Sequence, residues 1–240
     1  MPLRVATWNT EWAPPDSRRG ALIRQRLADY RPDLVCLTEC HRDFLKSWSG
    51  HVTLSASDWG YGRGEEWREV LLWSARDWRG VSVAEHSALP PGRFVSAFTK
   101  TGVGDVAVAG LVVPYHFAHV RAGRRDRRPW DEHCLFLNAV REVLPGLSKP
   151  RIVLGDFNQR IPSSWVPRAA QAKLQAAFED LKIVTAGRAE FRGESAIDHV
   201  ACEHSFSAAD VGTLSNVDDE GRRISDHFGV ACELTKRRAA

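Results

Sequence analysis

Short apolar runs rich in Val, Ile, Leu and Trp recur along the chain, broken by Gly, Pro and Asp, which is the pattern of a protein with many strands. Strands are predicted over Leu3 to Trp8, Leu34 to Thr38, Glu69 to Trp73, Val81 to Ala84, Arg93 to Thr99, Asp105 to Pro114, Arg151 to Leu154, Ile197 to Cys202 and Gly229 to Leu234. Helical spacing predicts three helices. The first covers Arg18 to Tyr30 and ends at Arg31-Pro32. The second covers Asp131 to Leu144, capped by Asp131 and stopped by Pro145-Gly146, and the third covers Val166 to Leu181. Few helices among many strands give an α/β chain in which two sheets share a core and helices cover the outer faces. The tail Lys236-Arg237-Arg238 follows the last strand and reads as a frayed, solvated end.

The chain has 240 residues, enough for one substantial core and short for two enzyme domains, so one domain over 1–240 and a monomer are the default expectations. Hydrophobic residues make up 43% of it, yet no uninterrupted apolar stretch is long enough to cross a bilayer. The opening MPLRVATWNTEW reads as a strand and lacks the parts of a secretory signal. The five cysteines are odd in number and irregularly spaced, which fits reduced, mostly buried thiols and a cytoplasmic location. A net charge of +3 discriminates little, but Arg121, Arg124, Arg125, Arg127 and Arg128 cluster in one loop. Guanidinium pairs phosphate in a bidentate fork, although such a loop can equally be a solvated surface.

Where the polar residues fall is more informative. Asn9 and Glu11 follow LRVATW, Glu39 follows DLVCLT, His116 follows VAVAGLVVPY, and Asp156 with Asn158 follow RIVLG. Asp198 lies inside SAIDHVA, and Asp226-His227 precede FGVACEL. Strand margins of a layered fold converge on one rim. Glu39, Asp156, Asp198 and Asp226 gathered there would repel one another unless a divalent cation neutralised them.

In chain order these segments read WNTEW at 8–12, LTE at 37–39, GDFN at 155–158, IDHV at 197–200 and SDH at 225–227. Together they resemble the signature blocks of the endonuclease/exonuclease/phosphatase superfamily. Each block alone is common; five in order across nearly the whole chain are specific. The resemblance implies a four-layer α/β sandwich, with two mixed sheets packed face to face, helices on the outer faces and one active site at their shared rim. Thr38 stands where the family often has Gln, but the Glu39 that follows is kept. His116 in PYHF matches a position where relatives carry His or Tyr, and it is preferred to His119.

Hydrolysis of a phosphoester needs a water placed in line, a base to take its proton, and positive charge against the equatorial and leaving oxygens. Glu39 is the best cation ligand, with Asn9, Glu11 and Asp226 as direct or water-mediated partners, and the oxygen donors favour Mg²⁺ or Mn²⁺. Zinc is disfavoured because the cysteines do not join the set; Cys36, Cys40 and His41 lack a fourth ligand. Asp156 is the candidate that orients and deprotonates water, and the Asn158 amide can donate to a phosphoryl oxygen. Asp198 and His227 form a second pair in which a cationic imidazole binds phosphate, and either Asp156 or His227 can be the operative base. His116 is a further phosphate donor, whereas His133, His199 and His204 take structural readings.

Arg124, Arg125, Arg127, Arg128 and Trp130 leave the strand end beside His116 and form the expected substrate wall. Basic residues interleaved with an aromatic suit a nucleic-acid strand, so nuclease action on DNA or RNA is favoured. A phosphatase or phosphodiesterase acting on a small phosphorylated molecule or a phospholipid head group is the alternative. A catalytically inactive binding module is the third reading.

Overall fold

The computed structural model describes residues 1–83, 89–120, 123 and 125–237. Fourteen strands and three helices appear among them. In chain order they are β1 (Leu3–Asn9), α1 (Arg18–Tyr30), β2 (Leu34–His41), β3 (His51–Leu54), β4 (Trp67–Ser74), β5 (Trp78–Ser82), β6 (Phe94–Thr101), β7 (Gly104–Val112) and α2 (Asp131–Val143). There follow β8 (Arg151–Asp156), α3 (Arg168–Ala177), β9 (Leu181–Ile183), β10 (Glu190–Phe191), β11 (Glu194–Ser195), β12 (Asp198–Glu203), β13 (Phe206–Leu214) and β14 (Gly229–Lys236).

The strands form two six-stranded sheets with the orders β13-β14-β1-β2-β4-β3 and β5-β6-β7-β8-β12-β9, plus a small β10-β11 hairpin. Each large sheet has one parallel pair at its centre, β1 with β2 and β7 with β8, and antiparallel neighbours outside it. A parallel pair needs a crossover, and α1 and α2 supply these. The expected two mixed sheets with outer helices are therefore present.

Alternation places the layers. Leu3, Val5, Leu34, Cys36, Val70 and Leu72 of one sheet meet Val106, Val108, Val112, Ile152, Leu154 and Val200 of the other in one inter-sheet core. On the far side of the first sheet, Ile23 and Leu27 of α1 cover Ala6, Trp8, Val35, Leu37 and Leu71. On the far side of the second, Phe136, Leu137 and Val140 of α2 and Leu174 of α3 cover Leu111, Val153 and Ala201. Burial of these faces, at roughly 25 cal/mol per Å² of apolar area, is what holds four layers together. Gly110 sits where the sheets approach each other: a Cβ there would stand 2.6 Å from Val70 Cγ1 and 2.9 Å from Leu72 Cδ2.

Local chemistry sets the helix ends. The Ser17 hydroxyl accepts from Gly20 N at the start of α1, and Arg31 closes it in the left-handed region (φ 56) ahead of Pro32. The expected cap of α2 is corrected: Trp130 holds the cap position at φ 76 with no side-chain cap bond. Asp131 is instead the first helical residue, and its carboxylate accepts from Arg128 N at 2.8 Å. The third helix is shorter than expected, starting after Pro167 and ending at Ala177. The strand expected at Val81 to Ala84 lies at Trp78–Ser82, and Ala84, like Arg121, Arg124 and Arg238, is outside the described residues.

Two buried histidines, one on α2 and one on β12, fasten the second sheet to the segments that follow its strands. His133 Nδ1 lies 2.8 Å from Pro114 O and its Nε2 2.7 Å from the Gln159 amide, while His199 Nε2 lies 2.9 Å from Gln159 O and its Nδ1 3.0 Å from Thr185 Oγ1. Each ring has one donor and one acceptor partner, the arrangement of a neutral imidazole. Burial accordingly pushes both down to about 4. The unfolded chain takes up these protons near 6.5 and the native chain does not, so stability is full above that pH and declines as the pH falls toward 4. The expected slope is roughly 1.4 kcal/mol per pH unit for each ring. Urea midpoints measured from pH 7 to 4 check this, and a flat profile would contradict it.

Candidate active site

The rim where the central strands end gathers the predicted polar side chains. In the first sheet Asn9 closes β1 beside Thr38 of β2, with Glu39 next along. In the second, Asp156 closes β8 opposite Asp198, the first residue of β12. Asn9 Nδ2 donates to Asp156 Oδ2 at 3.1 Å, a bond that joins the two sheets. His227 arrives on the turn before β14. Its Nδ1 stands 2.6 Å from Asp198 Oδ2, and the Asp226 carboxylate lies 4.0 Å from its Nε2. Ligand atoms of Asp156, Asp198 and His227 all fall within 4.8 Å of one another.

The backbone is bent to achieve this. Glu11, Trp12, Glu39 and Asn158 all have φ between 48° and 55°, a region that non-glycine residues rarely occupy and that clusters at functional sites. The Glu39 carbonyl turns away from the strand ladder to accept from Trp12 N and the Thr10 hydroxyl. At Gly155, φ is 142° and an added Cβ would lie 2.0 Å from Leu111 O. Only glycine fits against β7 there, and this glycine presents Asp156. Asp156 Oδ1 then accepts from Asn158 N at 2.8 Å, closing an Asx-turn.

Electrostatics follow from burial. Burial pushes the Glu39 carboxyl up to about 8, aided by Glu69 and Asp156, and pushes Asp156 up to about 7 against the pull of His227. Asp198 is raised by burial as well. Burial alone would lower the His227 imidazole, but Asp198, Asp156 and Asp226 outweigh it and push it up to about 10. The centre thus holds one cationic ring among several desolvated carboxyls and is short of positive charge. Buried Asp198 Oδ1 and Glu69 Oε2 have no hydrogen-bond partner among the described residues. An oxygen-rich, cation-poor site suits a divalent cation, and Cys36 and Cys40, buried in hydrophobic cores, take no part in it.

Not every expected residue faces this centre in the same way. Glu11 pairs with Arg19 at 2.6 Å, while its backbone N–H fixes Asn9 Oδ1 at 2.9 Å. Asn158 Nδ2 donates to Val113 O, which ties the GDFN turn to the end of β7. Beyond β7, His116 packs in an aromatic group with Trp130 (centroids 5.4 Å apart) and Trp165 (4.8 Å). His119 N donates to the Tyr61 hydroxyl. Arg127 is held by Glu132 at 2.9 Å, Arg125 and Arg128 are exposed, and Arg124 lies outside the described residues.

Several residues at the site gave little sign of themselves in the sequence. A cavity of about 290 Å³ beside Asp198, Asp226 and His227 is walled by Arg160, Arg192, Arg223, Phe191 and Phe228. These arginines come from three separate segments of the chain, so no cluster signals them. Ser225 is fully buried; its hydroxyl donates to Asn9 O at 2.7 Å and accepts from His227 N at 3.2 Å. Its place in SDH was the available sign. Trp12 stacks on Trp59 at 5.3 Å with the Arg63 guanidinium 4.4 Å above it.

With this geometry in view, comparisons with known proteins place the chain among relatives. A family model described as endonuclease/exonuclease/phosphatase matches residues 6–227. A search of the curated proteins found no match. Among solved structures the chain is similar to the Neisseria 3' phosphatase NExo bound to product DNA hairpin, at 16% identity and TM-score 0.71, covering 97% of this chain and 99% of that one. It is also similar to an AP endonuclease from Archaeoglobus fulgidus, at 15% identity and TM-score 0.68, covering 96% and 98%. A third is D. rerio TDP2 complexed with single strand DNA product, at 14% identity and TM-score 0.67, covering 98% and 99%. At these identities the likeness shows the shared fold.

Proposed function

Since the chain belongs to the endonuclease/exonuclease/phosphatase family, we propose that it is a divalent-cation-dependent phosphoesterase that attacks a P–O bond with water, nucleic acid being the favoured substrate. The observation that carries this reading is the grouping of Asp156, Asp198 and His227 within 4.8 Å at a rim shared by two sheets. The DNA products held by the NExo and TDP2 structures support the choice of substrate.

Glu39, Asn9 and Asp226 would hold the cation, with Glu11 at the margin steadying Asn9. When bound, Mg²⁺ or Mn²⁺ supplies positive charge to the phosphoryl and leaving oxygens. Asp156, held near neutrality, orients the attacking water and accepts its proton. Its two oxygens are fixed by Asn9 Nδ2 and Asn158 N, so the proton is taken in one geometry. Asp198 keeps His227 protonated and turns its Nε2 outward, where it donates to a phosphoryl oxygen. A ring kept cationic is a poor base, which favours Asp156 for that role. Asn158 donates to the developing negative charge, and His116 contacts the substrate from the aromatic group beyond β7. Arg125, Arg127 and Arg128 of the basic loop, and Arg160, Arg192 and Arg223 of the cavity beside His227, would meet flanking phosphates.

EDTA is expected to abolish hydrolysis, and Mn²⁺ or Mg²⁺ to restore it; full turnover in chelator would sink the proposal. The substrate class is read from salt dependence. A polymer contacted at several phosphates loses affinity by about 0.7–0.9 log units per contact for each tenfold rise in salt. A shallow slope with rapid turnover of small esters would move the assignment to a small phosphorylated substrate.

A further inference from the structure

Glu69 on β4 belongs to none of the family blocks, yet it is among the most buried carboxylates in the fold, at 3% exposure. Among the described residues one oxygen, Oε2, has no hydrogen-bond partner, and the other stands 3.7 Å from Arg93 Nη2, beyond hydrogen-bond distance. A structural Arg–Glu pair this deep would be expected to close into a bidentate contact and satisfy both oxygens. This one stays open. The register pairs Thr38 with Val70 and Cys40 with Arg68, so Glu69 is the residue opposite Glu39 at the rim. Side chains directly opposite on neighbouring strands are close enough to interact, and two carboxylates there destabilise each other. The fold retains that repulsion beside the very residue argued to bind the cation.

We propose that Glu69 is a positioning residue for the cation site: it adds a second negative charge beside Glu39 and raises the affinity of that site, with Arg93 as its counter-charge. The inference rests on the reading of Glu39 as a cation ligand. It explains the open geometry, since a carboxylate wholly committed to Arg93 would contribute little field to its neighbour.

The test is a Mn²⁺ titration of the full chain without substrate, following free Mn²⁺ by its paramagnetic resonance signal. Glu69→Gln keeps the shape and removes the charge, and it should weaken Mn²⁺ binding by about tenfold. Glu69→Asp should recover most of that loss. At saturating Mn²⁺, kcat of Glu69→Gln should return close to the parent value, because Glu69 touches no reacting atom. Parent-like affinity in Glu69→Gln, with weakened binding in Glu39→Gln, overturns the role of Glu69 alone. Unchanged affinity in both overturns the reading of Glu39 as well. Should Glu69→Gln fail to fold, Arg93→Gln replaces it: removing the counter-charge should tighten Mn²⁺ binding, and unchanged or weaker binding overturns the proposal.

Discussion

Replacing Asp156 by Asn is expected to lower kcat by about 10²–10⁴-fold, the range that a positioned general base supplies, while leaving the fold in place. Asn keeps the size of the side chain, and its one oxygen can still accept from Asn158 N, although the bond from Asn9 Nδ2 to the second oxygen is lost. What it cannot do is take a proton from water. His227→Ala should cost a similar factor for a different reason, since it removes the cation that offsets phosphoryl charge and leaves Asp198 buried without its partner at 2.6 Å. The two losses should not multiply in the double variant, because the groups act as one network. Steady-state kinetics with thermal melting as a control for folding decide the matter. Parent-like turnover in both single variants would remove the assignment of the centre.

Gly155→Ala is expected to be the most damaging conservative change for stability, about 3–5 kcal/mol or outright failure to fold. The added methyl would sit 2.0 Å from the Leu111 carbonyl oxygen, and backbone cannot swing aside as a side chain can. Gly193 gives the comparison. It too has positive φ, at 81°, but nothing lies within 4 Å of its missing Cβ, so Gly193→Ala should cost about 1–2 kcal/mol of conformational strain alone. Urea denaturation of the two variants separates steric clash from φ strain. Equal losses would mean that the approach of β7 to Gly155 is unimportant.

Much of this site could be read from the sequence because its residues sit at strand ends, where an apolar run gives way to Asp, Glu, Asn or His. RIVLGDFN shows both the strand and what it carries, and the pairing of Val112 with Asp156 confirms the strand's place beside β7. Arg18–Tyr30 was legible to the residue, since a serine cap and a proline stop bracket a regular apolar stripe. β13 was not. Its sequence FSAADVGTL mixes Ala, Asp and Gly, it lies at a sheet edge, and its register shifts between Ala209 and Gly212, so little alternation survives. In the sequence Asp131 looks like the cap of α2, whereas its carboxylate accepts from Arg128 N in the turn before the helix. Among site residues, those defined by tertiary approach stayed hidden. Nothing local to GEEWREV says that Glu69 will face Glu39, and Arg160, Arg192 and Arg223 meet only through folding.

The absence of a side chain at Gly110 has a bearing on the chemistry that its distance from the rim conceals. Asn9 and Glu39 ride on one sheet, Asp156 and Asp198 on the other, so the gap between the sheets is also the spacing of the reacting groups. A methyl wedged between β7 and the Val70–Leu72 face would act as a shim. It would spread the jaws of the centre by a fraction of an ångström, and catalysis, which tolerates such misplacement far less well than folding does, would register the change first.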